Sequence, residues 1–419
     1  MSETETVTRG RVLCVTSNFP RWKNDSTTPF VFHLARDLQD LGWRVDVLAP
    51  HTRGAKTREH LDGVQIERFR YLWPASLETV CYGGGALVNL RKNRLNFVKL
   101  PPLVFFEWAG IARRLAARRY DILHSHWILP QGFTGVLAAR PLRIPHVVTV
   151  HGSDVFALRG GFLTRFKRTA LRGAEAITVN SSATRKAVEA IAPRSEKIHL
   201  IPMGVTESQP DRELVARLRQ RHRRGDGPLL VFVGRLVYEK GADDLIRAVA
   251  ILAEGQPDAT ALVIGEGQDR GQLESLAQDL GAEKRIVFTG WVQPNEICSY
   301  LSAADIFVGP SKRAPDGVTE AQGLTFVEAM QTGTPVIATN IGGIGDAVRH
   351  EETGLVVGEA APVEIAAAIE RLIDDPGLVD RLTTAGRALA RARFTRHASA
   401  TAFSGLFLNF LTASQRNVR

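Results

Sequence analysis

The chain predicts an α/β fold built as two doubly wound domains. Short apolar runs alternate with helix-length amphipathic segments along nearly its whole length, which is the signature of a mostly parallel sheet covered on both faces. The alternation restarts at Leu229, after a charged stretch. At 419 residues and 44% hydrophobic content, the chain is long enough for two separate cores.

In the first half, strands are expected at Arg11 to Thr16, Arg44 to Ala49, Asp121 to His124, His146 to Val150, Ala176 to Val179 and Lys197 to Ile201. Helices fit Pro29 to Leu41, closed by Gly42, and Ala183 to Ile191, closed by Pro193. In the second half, strands are expected at Leu229 to Val233, Ala261 to Ile264, Arg285 to Thr289, Asp305 to Val308, Pro335 to Ala338 and Leu355 to Val357. The stretch from Gly204 to Pro228, with charged residues from Asp211 to Arg224, reads as the linker zone, part of it helical.

Composition narrows the function classes. Cys14, Cys81 and Cys298 are odd in number and far apart, so they give neither a disulfide framework nor metal-ligand spacing, and they point to a reducing cytoplasm. The acidic, polar start MSETETVTRG is not a secretory signal, and no apolar run approaches the roughly 18 residues of a membrane helix. Charge is uneven. Residues 1–207 hold 30 Lys and Arg against 17 Asp and Glu, whereas the remainder holds 23 against 27. The excess gathers at Arg91, Lys92, Arg94, Lys99, Arg113, Arg114, Arg118 and Arg119, interleaved with apolar residues including Phe97, Phe105, Phe106 and Trp108. Residues 87–119 therefore suit an anionic membrane surface, or equally a solvated helix face over a buried apolar one. No recognition-helix, zinc or ribonucleoprotein motif accompanies the charge, so nucleic acid is not an expected partner.

The most informative segment runs from Pro310 to Thr339 and contains Glu320 and Glu328. Thr325 and Glu328 have capping-box spacing, Gly333 fits a C-terminal cap and Pro335 forbids continuation, so a helix is expected over roughly 325–332. Its N-terminus falls at the carboxyl edge of the preceding strand, where open α/β sheets bind ligands. Two carboxylates there suit sugar hydroxyls; a plain cap and a solvated loop acid are the bland alternative. Gly234-Arg235 directly follows the run LLVFV, and Lys240-Gly241 opens the next helix, so two cations are expected at the same edge. That is the charge a departing nucleoside diphosphate needs.

Other motifs are weaker. Gly265-Glu266-Gly267 lacks a correctly spaced third glycine, and Arg285 stands where a ribose-binding acid would be, which argues against a nicotinamide site. There is no Walker lysine loop and no nucleophile elbow. His151, in His151-Gly152-Ser153-Asp154, ends an apolar strand and is poised towards a ligand. His124 and His126 have strand spacing, but no local Asp, Glu or Cys completes a ligand set, so no metal is expected.

Together these segments resemble the family 4 retaining glycosyltransferases of the GT-B fold. The resemblance rests on SNFPRWKNDSTTPFVFHLARDLQDLGWRVDVLAP, HSHWILPQGFTGVLAA, VVTVHGSDVF, FVGRLVYEKGADDLIRA, LVIGEGQDRGQLE, VFTGWVQPNEI and the Glu320…Glu328 segment, and covers nearly the whole chain. It implies two Rossmann-like domains facing across a cleft. The expected boundaries are 1–207 for the acceptor side, 208–395 for the nucleotide sugar, and 396–419 for a C-terminal helix returning to the first domain. It implies that Arg235 and Lys240 bind the donor diphosphate, Glu328 the ribose and Glu320 the donor sugar. Gly234, Gly323, Leu324 and Thr325 would border phosphate or sugar oxygens, Val292 would lie near the base, and His151 beside the transferred sugar. Thr27, Thr28, His126 and Asp154 are expected to face the acceptor, with simple packing the alternative for His126 and a helix-capping or turn role preferred for Asp154 over that of a nucleophile. Two features depart from the family's pattern: Ser26-Thr27-Thr28-Pro29 replaces paired glycines in the first loop, and the loop before Glu320 is extended as Lys312-Arg313-Ala314-Pro315-Asp316-Gly317.

The activity implied is transfer of a sugar, with retention, from a nucleotide-diphosphate sugar to a glycan or lipid-linked acceptor in cell-surface polysaccharide or glycolipid synthesis. The nucleotide sugar is a co-substrate and no cofactor is expected. The protein would be cytoplasmic, at the inner face of the membrane. A nucleotide-sugar epimerase of the same fold, or a non-catalytic nucleotide-sugar-binding protein, stays open at this point.

Overall fold

The structure, a computed structural model, describes residues 8–23, 25, 27–117, 120–156, 160–193 and 195–416. Arg118, Arg119 and Ser26 lie outside the described residues. The chain divides into two compact units, one of residues 1–203 with 396–419, the other of residues 204–395.

The first unit contains β1 (Gly10–Val15), β2 (Trp43–Pro50), β3 (Arg58–Leu61), β4 (Val64–Phe69), β5 (Ile122–His126), β6 (His146–Val150), β7 (Ala176–Val179) and β8 (Ile198–Leu200). They pair in the order β3-β4-β2-β1-β5-β6-β7-β8. All neighbours are parallel except β3 and β4. The central strands are buried along their length, as a two-face-covered sheet requires. The β3–β4 hairpin is absent from the strands expected above, because its outer strand alternates charged and exposed residues. Its signal was local: Asp62-Gly63 both take positive φ, the two-residue hairpin turn that Asp-Gly favours.

The helix Pro29–Asp40 ends where expected, with Gly42 at φ 86° donating to the Gln39 carbonyl. The last helix, Arg396–Arg416, packs on it. The Arg396 guanidinium bonds the Asp37 carboxylate, Trp43 donates to Ser404 at 2.9 Å, and Phe403 and Phe407 are fully buried. No helix among the described residues is long and apolar enough to cross a membrane.

The second unit contains β9 (Leu229–Val233), β10 (Thr260–Ile264), β11 (Ile286–Gly290), β12 (Ile306–Gly309), β13 (Val336–Thr339) and β14 (Leu355–Val357). The sheet is parallel throughout, in the order β11-β10-β9-β12-β13-β14. Chain order reverses between β9 and β12, which makes their carboxyl ends the switch point where such sheets receive ligands. Much of the expected linker zone belongs to this unit. Asp211 caps the helix Arg212–His222, and Arg219 of that helix donates to the Ala303 carbonyl at 3.0 Å.

Candidate active site

The switch point brings two of the predicted donor residues, Lys240 and Glu320, into contact. Gly234 and Arg235 leave β9 directly, and Gly234 donates to the Ile264 carbonyl at 3.0 Å. The chain then makes a single helical turn, Tyr238–Lys240, and turns at Gly241 with φ 71° into the helix Ala242–Ile251. A Cβ on Gly241 would collide with the carbonyl of Pro310, just beyond β12. The backbone conformation and this close approach both require glycine there. Lys240 is thereby held against the segment that leads from β12 to Glu320.

Lys240 Nζ forms an ion pair with Glu320 Oε2. Burial opposes ionisation of Glu320, but the Lys240 charge and hydrogen bond, with N–H groups of Gly323 and Ala321, outweigh it. Its carboxyl therefore sits below the usual range and stays ionised. The Glu320 carbonyl accepts from Gly343 N–H at 3.0 Å, and a Cβ on Gly342 would strike that carbonyl, so backbone and side chain are both fixed.

Glu328 lies on the helix Leu324–Thr332 and contrasts with Glu320. It is half-buried, and no hydrogen bond or ion pair reaches its carboxylate among the described residues. Burial pushes its carboxyl up to about 7. The capping box expected from Thr325 and Glu328 does not form. Gly323, in the left-handed conformation at φ 77°, is the N-cap, and no side chain caps the helix. The helix starts one residue earlier than its spacing suggested because glycine can make the turn itself. Gly333 at φ 80° closes it. Leu324 and Thr325 N–H groups find no acceptor among the described residues, and so remain available to oxygen atoms of a ligand.

Arg235 and Val292 are placed more loosely. The Arg235 side chain is 67% exposed, 3.5 Å from Glu239. Val292 is partly buried against the core beyond β11, next to exposed Trp291. The Gly265-Glu266-Gly267 turn is structural. A Cβ on Gly265 would meet the Gly234 carbonyl and one on Gly267 the Leu236 carbonyl, so these glycines let the neighbouring loops close up.

In the first unit, His151 leaves β6 with its Nε2 3.0 Å from Nδ1 of His126. Burial drives both imidazoles far below their usual range, His151 to about 3, so both are neutral near pH 7. His126 is 1% exposed and lies under His151 rather than open to an acceptor. Asp154 is likewise not placed for an acceptor. It is 2% exposed, and its two oxygens accept N–H groups of Ile128 and Gly152 at 2.9 and 3.0 Å, which braces the turn carrying His151. Thr28 takes φ 50° at the start of its helix and donates to Asn18 at 2.6 Å, while Thr27 donates to Asp25 at 2.8 Å. The departure from glycine in this loop is met by hydroxyls that bond within it.

Comparison with known proteins decides the family. The model of "Glycosyl transferases group 1" matches residues 216–389, and that of "Glycosyl transferase 4-like domain" residues 27–204. A 2-deoxystreptamine glucosyltransferase of Streptomyces kanamyceticus is 34% identical over 70% of this chain and 78% of its own. The chain belongs to the group 1 glycosyl transferases. A GDP-mannose-dependent alpha-(1-6)-phosphatidylinositol monomannoside mannosyltransferase of Mycobacterium tuberculosis is 28% identical over 92% of this glycosyltransferase and 94% of the relative. Among solved structures, sucrose-phosphate synthase from Thermosynechococcus elongatus superposes with a TM-score of 0.78 at 24% identity, covering 97% of this chain and 100% of that one. Anabaena HepE in complex with UDP gives 0.72 at 21%, covering 94% and 99%. The fold of this glycosyltransferase is GT-B, and it is an enzyme that transfers a sugar.

One site element escaped sequence reasoning. Lys312, in the extended loop, is 5% exposed, and its ammonium lies 2.7 Å from Asp243 and 3.3 Å from Asp244, at the first turn of the helix that follows Lys240. The partners are about seventy residues apart in sequence, and no local pattern links them.

Proposed function

We propose that this glycosyltransferase moves a sugar, with retention of anomeric configuration, from a nucleotide-diphosphate sugar to a glycan or lipid-linked acceptor. The observation that carries the reading is the Lys240–Glu320 ion pair at the β9/β12 switch point, with Glu328 half-buried on the helix that follows and no hydrogen bond or ion pair at its carboxylate among the described residues. Lys240 and Arg235 take the diphosphate and stabilise the charge that grows on it as the glycosidic bond breaks. Glu320, held ionised, accepts hydroxyls of the donor sugar, and Glu328 those of the ribose. Gly234 leaves room for the phosphates, and N–H groups at Gly323, Leu324 and Thr325 supplement the cations. Val292 borders the base.

His151, neutral and oriented by His126, offers a hydrogen bond to the transferred sugar. Asp154, the acid that follows His151 in the chain, is committed to backbone N–H groups and is not available as a nucleophile. Front-face attack follows, with the leaving diphosphate taking the acceptor proton and the site stabilising an oxocarbenium-like state. The nucleotide sugar serves as co-substrate, with no resident cofactor.

A lipid-linked acceptor is supported by residues 87–119. On the helix Leu100–Ala117, Leu103, Glu107, Ile111, Arg114 and Leu115 form the buried stripe, while Phe105, Phe106 and Trp108 are exposed, as are Leu95, Phe97 and Val98 just before it. Arg114, counted above with the surface cations, instead pairs with Glu67 at 2.5 Å in the interior. Lys92, Arg94 and Arg113 keep exposed positions in the same stretch, whereas Lys99 is half-buried and donates to Thr79 at 2.8 Å. Exposed aromatics with exposed cations in the same stretch suit the interface of an anionic membrane, each cation contributing on the order of 1 kcal/mol. These exposed residues support a position at the inner membrane face, in cell-surface polysaccharide or glycolipid synthesis. The test is a panel of UDP-, GDP- and ADP-linked sugars, with nucleotide release followed with and without lipid extracts. No release from any donor would overturn the reading.

A further inference from the structure

Lys240 faces two demands that conflict. It pairs with Glu320, yet the proposed reaction draws its ammonium to the donor's phosphates. The pair therefore cannot by itself fix the separation of diphosphate and sugar contacts once donor is bound. Some other tie between the two segments must hold the register.

Lys312 supplies one. Its side chain is 6% exposed, with Nζ 2.7 and 2.8 Å from the two oxygens of Asp243, 3.3 Å from Asp244 and 4.7 Å from the ring centre of Tyr238. Tyr238, Asp243 and Asp244 bracket Lys240, whereas Lys312 lies on the segment that runs from β12 to Glu320. Its backbone joins the same contact, since Lys312 N–H donates to the Glu239 carbonyl at 3.0 Å. Beyond Lys312 the extended loop is a small closed turn. Ala314 N–H bonds the Val318 carbonyl at 2.9 Å, Gly317 N–H bonds the Ala314 carbonyl at 2.7 Å, and Arg313 N–H is held by Glu359 at 2.9 Å. The loop is thus anchored at its base by a buried ammonium and is stiff along its length.

We propose that Lys312 is a positioning residue for sugar transfer, fixing Glu320 relative to Lys240 through Asp243 and Asp244 while Lys240 is engaged by the donor diphosphate. This rests on the donor-site reading above. Lys312 touches neither phosphate nor sugar. Its loss leaves the diphosphate contacts in place and lets the Glu320 segment drift, and displacements near 1 Å at a reacting centre can cost about a hundredfold in rate.

The test uses the full chain and, as probe, whichever of UDP-glucose, GDP-mannose and ADP-glucose the wild-type enzyme turns over, together with its nucleoside diphosphate. Lys312→Met keeps the stem and removes the charge. The expected result is a 10- to 100-fold fall in kcat for nucleotide release, with nucleoside diphosphate affinity close to wild type and a lowered melting temperature, because Asp243 and Asp244 lose their buried cation. Lys312→Arg, which can still pair with the two carboxylates, should recover much of the rate. Asp243→Asn leaves Asp244 in place and serves if Lys312→Met does not fold; a several-fold fall in kcat with unchanged diphosphate affinity is expected. A kcat within twofold of wild type in the folded variant overturns the proposal, as does an equal loss of diphosphate affinity and rate. Lys240→Ala and Glu320→Ala run alongside. If these retain turnover, the donor-site reading has failed; if they lose it while Lys312→Met does not, only the positioning role has.

Discussion

Replacing Glu328 by glutamine should stabilise the protein and weaken donor binding, and the two effects have one cause. Burial raises the Glu328 carboxyl from an ordinary 4.5 to about 7. The native state thus holds a proton that the unfolded chain releases between these values, so the ionised carboxylate weighs against folding. The penalty is absent below the unfolded pKa, grows as pH rises, and is complete above the folded one. A shift of about 2.5 units corresponds to roughly 3 kcal/mol at 1.36 kcal/mol per unit, an upper bound for a half-buried group. Glu328→Gln keeps the shape and removes the charge. Its gain over wild type, read from guanidinium denaturation followed by tryptophan fluorescence, should widen by up to about 2 kcal/mol between about pH 5.5 and 8.5. Nucleotide affinity should move the other way. A glutamine offers one acceptor where the carboxylate offers two, and losing a charged hydrogen bond costs about 1–3 kcal/mol, or roughly 10- to 100-fold in Kd. Wild-type affinity should also rise with pH up to about 7, because ribose hydroxyls bind the ionised form. A variant that is destabilised, or whose stability gain is the same at both pH values, would refute the reasoning.

Three further outcomes are expected. Gly241→Ala should destabilise the second unit by at least about 2 kcal/mol, seen in denaturant midpoint, since its Cβ meets the Pro310 carbonyl at a left-handed φ. Arg235→Ala should raise donor KM about 10-fold with little loss of fold, because the side chain is mostly exposed and paired only at 3.5 Å; melting temperature and KM check it together. Phe105→Ser with Trp108→Ser should abolish salt-sensitive flotation with anionic vesicles while leaving melting unchanged, and equal flotation with neutral vesicles would contradict the membrane role.

Much of the fold was legible because its strands are buried on both faces. Leu229–Val233 is an uninterrupted apolar run and His146–Val150 is β-branched throughout after its first residue, and both strands match their expected bounds. The exposed strand Arg58–Leu61 carries no such run, and only its Asp-Gly turn announces it. At the site, proximity of Lys240 and Glu320 could be argued from strand ends, because parallel sheets bring all carboxyl edges together. The misread cap at Thr325 shows the limit of spacing rules, since Gly323, two positions earlier, takes the cap itself. Asp154 takes the turn role weighed for it, since backbone N–H groups claim both oxygens and leave none for an acceptor. Lys312 depends on a contact between distant segments, which sequence spacing does not encode.

The central claim is that Lys240 and Glu320 act as a pair on the donor. It is tested most directly by nucleotide release from the preferred nucleotide sugar, measured for wild type, Lys240→Ala and Glu320→Ala, with circular dichroism confirming the fold. Both variants should lose at least about 100-fold in kcat/KM, which is about 2.7 kcal/mol of transition-state stabilisation. Near-normal turnover in either folded variant would contradict the account.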